Sequence, residues 1–124
     1  MNDLKQITSV LNQYKNNLTI EERATNKYFI NTGLFLIASG DILPIYLVEY
    51  NGKAYFADHG GTLKSLNVDF DKLDTKTQLL IKQKLSDLEV QFDGKTLMFE
   101  VIKNYEFGAL NTLICAIMFL QALI

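Results

Sequence analysis

The stretch that decides the fold is residues 41–61, which read DILPIYLVEYNGKAYFADHGG. Asn51 and Gly52 lie between two runs of β-branched and aromatic residues, and this pattern predicts a β-hairpin. A two-residue type I′ turn needs positive φ at both central positions, and the pair Asn-Gly tolerates that best. Pro44 has no N–H to donate to a ladder, so it marks the start of the first strand or an edge position.

The predicted turn also assigns residues to the two faces of the hairpin. It sets four cross-strand pairs: Tyr50 with Lys53, Val48 with Tyr55, Leu47 with Phe56, and Tyr46 with Ala57. One face then carries the apolar set Ile45, Leu47, Ala54 and Phe56. The other face is the predicted binding surface, because tyrosine offers a large, rigid, amphipathic contact area; it carries Tyr46, Val48, Tyr50 and Tyr55. The alternative is that tyrosine simply suits a strand and packs beneath a helix.

Length and composition limit the class of protein. A chain of 124 residues is long enough to bury one core, so we predict a single domain spanning residues 1–124. The net charge of −2 argues against nucleic acid as a partner, because nucleic-acid-binding surfaces are usually basic. Cys115 is the only cysteine, which excludes an intramolecular disulfide, and its apolar neighbours predict a buried thiol. The chain does not open with a signal-peptide pattern, so we expect a cytoplasmic protein.

The N-terminal part predicts one helix and one strand. Apolar residues recur every three or four positions, which is the stripe of an amphipathic helix, at Leu4, Ile7, Leu11, Tyr14 and Leu18. Asn2 or Asp3 can cap the start of this helix, and Asn16-Asn17 suits its end. Residues 19–24 are polar and predict a connection, whereas residues 26–32 predict a strand.

Beyond the first hairpin, the pattern predicts a middle helix and a second hairpin. Asp74 can cap a helix that runs to about Asp87. Its inward residues are predicted to be Leu80, Ile81, Leu85 and Leu88, and its outward residues Lys76, Lys82, Gln83 and Lys84. Residues 88–102 predict a hairpin that turns at Asp93-Gly94. Its apolar face is predicted to hold Leu88, Val90, Phe92, Leu97, Phe99 and Val101.

Residues 107–124 contain no charged side chain. As a helix they would be about 27 Å long, so a membrane-spanning tail has to be considered. Four polar or small residues interrupt the apolar character, Gly108, Asn111, Thr112 and Gln121, and no basic flank follows, so we expect no membrane contact. The segment instead predicts a buried core helix or an element through which two copies form a homodimer.

The residues able to do chemistry cluster where the first hairpin opens, at Asp41, Asp58 and His59. Two carboxylates beside the only histidine could bind a divalent cation or do acid–base chemistry, so these three residues are weak catalytic candidates. The alternative is structural: Asp58 accepts N–H bonds from the turn that follows, and Gly60 and Gly61 supply unusual backbone angles. A metal site needs three or four protein ligands and the spacing provides no third, so no metal and no cofactor is predicted.

An ordered set of short motifs resembles the DUF1828 domain family. The motifs are Lys27-Tyr28-Phe29-Ile30-Asn31-Thr32, Gly40-Asp41, Ile45-Tyr46 and Ala57-Asp58-His59-Gly60, followed by Thr62-Leu63 and Leu66. The order of the later helix, second hairpin and apolar C-terminal helix is similar too, so the resemblance covers nearly the whole chain. Gly33, Ala57 and His59 stand where the family carries Pro, Thr and Asp, and the last difference weakens the case for an acidic metal site. The family implies no activity; its members occur in bacteria, phages and prophages, which implies a mobile-element accessory role.

Together these patterns predict an α+β fold. An antiparallel sheet of two β-hairpins plus an additional strand packs with an N-terminal helix, a middle helix and a buried apolar C-terminal helix. The leading functional hypothesis is a non-enzymatic accessory protein of phage or prophage origin that binds another protein, with inhibition of a host defence factor as one form of this role. The alternatives are a metal-dependent hydrolase or nuclease that uses Asp41 and Asp58, and a structural homodimer.

Overall fold

The computed structural model describes residues 4–13 and 18–124, and in this part of the chain four α-helices accompany a six-stranded antiparallel sheet. The helices are α1 (Leu4–Gln13), α2 (Gly61–Ser65), α3 (Thr75–Asp87) and α4 (Glu106–Leu123). The strands are β1 (Thr19–Ala24), β2 (Lys27–Asn31), β3 (Ile45–Tyr50), β4 (Lys53–Ala57), β5 (Gln91–Phe92) and β6 (Leu97–Glu100). They lie in the order β1-β2-β3-β4-β6-β5. The predicted α+β class is confirmed.

The hairpin of β3 and β4 has the predicted turn and register. Asn51 and Gly52 both adopt positive φ, of 52° and 77°, as a type I′ turn requires. All four predicted cross-strand pairs are present. β3 begins at Ile45, directly after Pro44, which agrees with the missing N–H donor of proline.

The sheet has an inner face that forms the core and an outer face that does not. The inner face presents the buried apolar side chains Ile30, Ile45, Leu47, Ala54, Phe56 and Leu97. They pack in one cluster with residues of all four described helices, including Ile7, Leu63, Ile81 and Leu113. The outer face, which lies outside this cluster, carries Phe29, Tyr46, Val48, Tyr50 and Tyr55 on β2, β3 and β4. The described helices therefore cover one face of the sheet only.

The central element of the core is α4. It contacts β4, β6, α1 and α2, and its buried positions are Glu106, Ala109, Leu110, Leu113, Ala116, Ile117, Leu120 and Gln121. Among the described residues, α4 alone is long and apolar enough to cross a membrane. That criterion is weak evidence, because the core helix of a soluble protein meets it too, and here one side of α4 packs on its own sheet. The predicted apolar C-terminal helix is thus confirmed and partly buried.

The polar composition of residues 19–24 predicted a connection, and that prediction is wrong. The segment is strand β1. It pairs antiparallel with β2, from Thr19 opposite Asn31 to Ala24 opposite Lys27. It is an edge strand in which Ile20 packs against the core and the other residues are exposed. Because one position alone needs to be apolar, the strand lacks the alternation that identifies a half-buried strand in a sequence.

The second hairpin has the predicted faces and turns at the predicted residues. Val90, Leu97 and Val101 are buried, and the three other predicted inward residues, Leu88, Phe92 and Phe99, pack against the core. Phe92 pairs with Leu97, so the connection contains Asp93 and Gly94 as predicted but has four residues, in contrast to the two-residue turn of the first hairpin. The longer connection forms because Asp93 Oδ1 accepts hydrogen bonds from the N–H groups of Lys95 and Thr96, at 2.9 and 2.8 Å.

Two predictions of burial in helices are also wrong. Leu80 is 50% exposed, whereas its neighbour Ile81 is buried with Leu85 as predicted. Cys115 is exposed, because it lies on the outward side of α4. That outward side is uncharged and carries Gly108, Asn111, Cys115, Met118 and Ala122. A helix that is apolar on every side gives no sequence signal for which side faces the core.

The predicted cap of α3 and the predicted inward residues of α1 are confirmed. Asp74 caps α3 by accepting a hydrogen bond from the Thr77 N–H at 2.7 Å. In α1 the predicted inward residues Leu4, Ile7 and Leu11 are buried. The prediction that Leu18 is the last position of the helical stripe is wrong, because Leu18 directly precedes β1 and packs against the core without being helical. The other predicted features of this segment lie outside the described residues, namely the caps Asn2 and Asp3, the stripe position Tyr14 and the helix end at Asn16-Asn17.

Gly61 matters for close packing rather than for an unusual backbone angle. Of the two corner glycines, only Gly60 has positive φ, of 75°. A Cβ built at Gly61 would lie 2.7 Å from Pro44 Cγ and 2.8 Å from Pro44 Cβ, and the proline ring cannot rotate away. We therefore expect Gly61→Ala to lower the free energy of unfolding by about 1–3 kcal/mol, measured by urea denaturation followed by circular dichroism.

The matched control for Gly61→Ala is Gly108→Ala. Gly108 lies in the first turn of α4, and a Cβ there meets nothing within 4 Å. Alanine has the higher helix propensity, so this substitution should leave stability unchanged or raise it by up to about 1 kcal/mol. Equal effects of the two substitutions would contradict the tight contact between Gly61 and Pro44.

Candidate functional site

The corner after β4 is organised by the buried carboxylate of Asp58, which is 1% exposed. Asp58 Oδ1 accepts hydrogen bonds from the Gly60 N–H at 2.9 Å and from the Leu97 N–H at 2.8 Å. The Thr62 N–H lies 3.4 Å from Oδ2, and the Asp58 N–H donates to the Leu97 carbonyl at 3.1 Å. The side chain therefore ties the end of β4 to the start of α2 and to β6.

Burial and hydrogen bonding act on the pKa of Asp58 in opposite directions. Burial raises it from the ordinary 3.8, and the donors from Leu97, Gly60 and Thr62 lower it, with burial the larger effect. The Thr62 hydroxyl is also buried beside this carboxylate, but it makes no hydrogen bond of normal geometry. The carboxylate oxygens of Asp58 therefore accept hydrogen bonds that stabilise the corner.

Asp41 and Asp58, the two predicted carboxylate candidates, have different surroundings. Asp41 is exposed in the segment before β3, where its N–H donates to Ser39 Oγ at 3.2 Å. The groups that act on Asp58 belong to Gly60, Thr62 and Leu97. Among residues 4–13 and 18–124, no three metal-ligating side chains come together. The described part of the chain thus provides no metal-binding cluster at this end of the hairpin.

His59, the third candidate, points away from this corner onto the outer face. Its backbone φ is 51°, and its ring packs against Tyr46 with the ring centroids 4.6 Å apart. Partial burial lowers the pKa of His59 from the ordinary 6.5, and the ammonium of Lys27 lowers it further, while Asp58 acts in the opposite direction. The neutral imidazole is therefore favoured at this position.

His59 is the last member of a row of stacked side chains that crosses three strands. We call this the aromatic row; it consists of Arg23, Phe29, Tyr46 and His59. The Arg23 guanidinium lies 4.7 Å from the centre of the Phe29 ring, and the Phe29 and Tyr46 centroids are 5.3 Å apart. Phe29 and Tyr46 are directly opposite each other in the β2–β3 register. Stacking and cation–π contacts thus order four side chains on an otherwise uncovered surface.

The other end of the outer face is formed by Tyr50 and Tyr55. Their ring centroids are 6.4 Å apart, and Tyr50 is 60% exposed, whereas Tyr55 is 8% exposed. A shallow depression of about 470 Å³ lies beside Tyr50 and is also lined by Gln91 and Met98. The face therefore combines a protruding tyrosine with a concave neighbour, which is a shape that can receive a side chain of another molecule.

The four predicted binding residues lie on one face, as the hairpin register required, and their role in binding stays a prediction. Tyr46, Val48 and Tyr50 are partly or largely accessible, whereas Tyr55 is covered mainly by its neighbours in the sheet. Arg23, Lys27 and Phe29 belong to the same face but are not among the predicted binding residues. The alternation of residues 27–30, in which Ile30 is buried, was the available signal, but the order of the strands was needed to place it beside Tyr46.

A cavity of about 420 Å³ adjoins the corner between α2 and the β5–β6 connection, and His59 is one of its lining residues. Its apolar floor includes Leu63 and Phe70, and its wall includes Gly60 and Gly94, which both have positive φ. Lysine and aspartate side chains of both signs surround it: Lys64, Lys95, Asp69, Asp71 and Asp93. Charges of both signs are therefore mixed around the cavity.

Fold and site define a small α+β protein with one helix-covered sheet face and one open aromatic face. The chain belongs to the family described as domain of unknown function DUF1828, whose model matches residues 34–120. The match includes both hairpins and most of α4, and it begins after β2, so the motif at residues 27–32 lies outside it. No curated protein and no solved structure shows a significant match to this chain.

The raised pKa of Asp58 gives its contribution to stability a definite pH dependence. The folded chain holds the Asp58 proton more tightly than the unfolded chain, so this stabilisation is fully present below pH 3.8 and is lost as the pH rises through the folded-state pKa. We expect the free energy of unfolding of the unmodified protein, relative to Asp58→Asn, to fall as the pH rises above 3.8. Urea denaturation at a series of pH values measures this difference.

A second variant separates the charge of Asp58 from its hydrogen bonds. Asp58→Ala leaves the three N–H donors without their acceptor, and it should be about 2–3 kcal/mol less stable than Asp58→Asn at every pH, because neither variant titrates at this position. A stability difference between the unmodified protein and Asp58→Asn that is constant with pH, or that grows as the pH rises, would contradict the raised pKa.

The pKa of His59 should report directly on Lys27. Removing the ammonium with Lys27→Gln should raise the pKa of His59, because a neighbouring cation disfavours the imidazolium. His59 is the only histidine, so an NMR pH titration resolves it without assignment of other imidazoles. Lys53→Gln, at the far end of the same face, is the control and should leave the pKa of His59 unchanged. An unchanged or lower value in Lys27→Gln would show that the two side chains are not neighbours.

Proposed function

We propose that the protein is a non-enzymatic binding module that docks a partner protein on the outer face of its sheet. The observation that carries this proposal is the aromatic face itself. Phe29, Tyr46, Val48 and Tyr50 lie on the neighbouring strands β2 and β3 and stand outside the apolar cluster that holds the helices. Tyr50 is exposed, and Phe29, Tyr46 and Val48 are partly exposed. A contiguous accessible aromatic surface on a small protein is typical of a protein interaction site.

The distribution of charge on this face also supports docking of a protein. Two ion pairs flank the aromatic residues: Arg23 Nε lies 2.5 Å from Glu21 Oε1, and Lys53 Nζ lies 3.9 Å from Glu100 Oε1. An apolar and aromatic centre with polar groups of both signs at the rim is the usual composition of a protein–protein interface. Tyrosine and arginine are also enriched among the residues that dominate binding energy.

The corner residues favour this proposal over a hydrolase. Asp58 is buried, and its carboxylate accepts from backbone N–H groups that it needs to hold α2 and β6 together. A general acid or base has to reach the substrate proton, or reach it through one water. Asp58 in this state is a structural residue, and His59 alone does not make a catalytic set.

A mobile-element origin is a finer proposal that rests on the family resemblance alone. An inhibitor of a host defence factor would need a stable surface for one protein partner, and the outer face meets that need. Genes that flank the coding sequence would test this: phage structural or defence-related neighbours would support it, and a consistent housekeeping neighbourhood would contradict it.

The docking proposal predicts that one exposed tyrosine matters and another does not. Tyr50 is 60% exposed on the outer face, and Tyr105 is 69% exposed in the loop before α4. We expect Tyr50→Asp to weaken retention of the partner by about tenfold or more, because it replaces an exposed aromatic contact by a charge. The measurement is affinity capture from a lysate of the source organism, with quantitative mass spectrometry.

Tyr105→Asp is the matched control, since it makes the same chemical change at a similar exposure away from the face. It should retain the partner as well as the unmodified protein. The proposal is wrong if folded, unmodified protein retains nothing specific, or if Tyr50→Asp retains as much partner as Tyr105→Asp.

A further inference from the structure

One cation of the outer face lacks the carboxylate partner that the others have. Arg23 is paired with Glu21, and Lys53 with Glu100. Lys27 makes no ion pair with any described residue; its ammonium instead lies 4.9 Å from the centre of the Tyr46 ring. Lys27 sits in the β2–β3 register opposite Val48, between the aromatic row and the tyrosines of the hairpin. The unpaired charge therefore lies next to the aromatic residues, where the β1–β2 turn meets the face.

The surroundings of Lys27 increase the effect of this charge. The side chains of Lys27 and Tyr46 are partly buried, and the His59 ring stacks on the other end of the same Tyr46. Charges interact more strongly where water is partly excluded. The positive charge of Lys27 also acts on His59, where it lowers the pKa of the imidazole.

We propose that Lys27, Tyr46 and His59 form a subsite for one carboxylate of an acidic side chain on the docked partner. The inference rests on the proposed docking function and names the chemistry of the partner. The carboxylate pairs with the Lys27 ammonium and lies at the edge of the Tyr46 ring. An apolar or aromatic neighbour in the partner segment packs on Phe29 and Tyr46, whose centroids are 5.3 Å apart.

The charges around the subsite favour a protein segment over a nucleic acid. A single unpaired cation matches one carboxylate, whereas a nucleic acid strand brings one phosphate per nucleotide and needs several cations. Two carboxylates lie on the same face, those of Glu21 opposite Phe29 and Glu100 opposite Tyr55. Together with the net charge of −2, they repel an extended polyanion but leave room for a single acidic side chain.

The experiment is an NMR titration of the full, isotope-labelled chain with two matched peptides. N-acetyl-Trp-Glu-Trp-amide carries the proposed carboxylate, and N-acetyl-Trp-Gln-Trp-amide has nearly the same shape without it. We expect both peptides to shift resonances of Phe29 and Tyr46. The glutamate peptide should also shift Lys27 and His59, and it should bind at least about fivefold more tightly, which corresponds to a gain of about 1 kcal/mol.

Variants on the same face assign that preference to Lys27. Lys27→Gln should abolish the preference for glutamate over glutamine, and Lys27→Arg should restore it at least in part. Lys53→Gln removes a cation that already has a carboxylate partner, so it should keep the preference. The pH titration of His59 adds an independent readout, because a carboxylate bound beside it should raise the pKa of its imidazole.

Three results would overturn the subsite. Equal affinity for the two peptides is the first, and an unchanged preference in Lys27→Gln is the second. The third is binding of a thymidine oligonucleotide at the same residues more tightly than the glutamate peptide. The subsite alone fails if Lys27→Gln captures the cellular partner as well as the unmodified protein while Tyr50→Asp does not. If neither substitution affects capture, the docking function fails together with the subsite.

Discussion

The constraint on which the structure depends is the need to cover α4. This helix has 18 residues, and Glu106 at its start is its one charged side chain. A helix with so few polar positions has to be packed against other apolar surface, and the inner face of the sheet provides most of it. The three other helices join the same cluster on the same side. None of the four described helices packs on the outer face.

The Asp58 corner connects this core to the outer face. The carboxylate joins β4, α2 and β6, and the residue that follows it in the chain is His59, held at positive φ against Tyr46. Asp58 is thus buried and has a structural role, while the following residue, His59, is the last member of the aromatic row. This arrangement explains why the Asp-His-Gly-Gly stretch stands out in the sequence without forming a catalytic set. The Asp58 carboxylate accepts the hydrogen bonds that hold the turn, and the His59 imidazole packs on Tyr46 at the outer face.

The sequence predicted correctly those features that depend on interactions between residues close together in the chain. The Asn51-Gly52 turn and the Asp74 cap follow from side chains that satisfy a backbone requirement nearby, and both are as predicted. β1 was missed because the pairing with β2 needs one apolar residue alone, Ile20. The exposure of Cys115 was missed because α4 is apolar on its outward side as well. In both cases the deciding contacts are distant in the sequence.

The candidate site likewise has one part that the sequence predicts and one part that depends on contacts between distant segments. The tyrosine face of β3 and β4 follows from the hairpin register alone, and its composition could be predicted residue by residue. The contributions of Arg23, Lys27 and Phe29 could not, because they depend on β1 and β2 lying next to β3. The contact between Lys27, Tyr46 and His59 joins three segments of the chain, and no pattern within any one of them indicates it.

The most direct test of this account measures which face of the sheet is open in the free chain. A soluble, inert gadolinium chelate enhances NMR relaxation of protons that solvent can approach. At low protein concentration, side-chain protons of Tyr46, Val48 and Tyr50 should show strong enhancement, and those of Ile45, Leu47 and Phe56 should show little. Equal protection of both sets would contradict the account, because the outer face would then be covered already and could not be the docking surface.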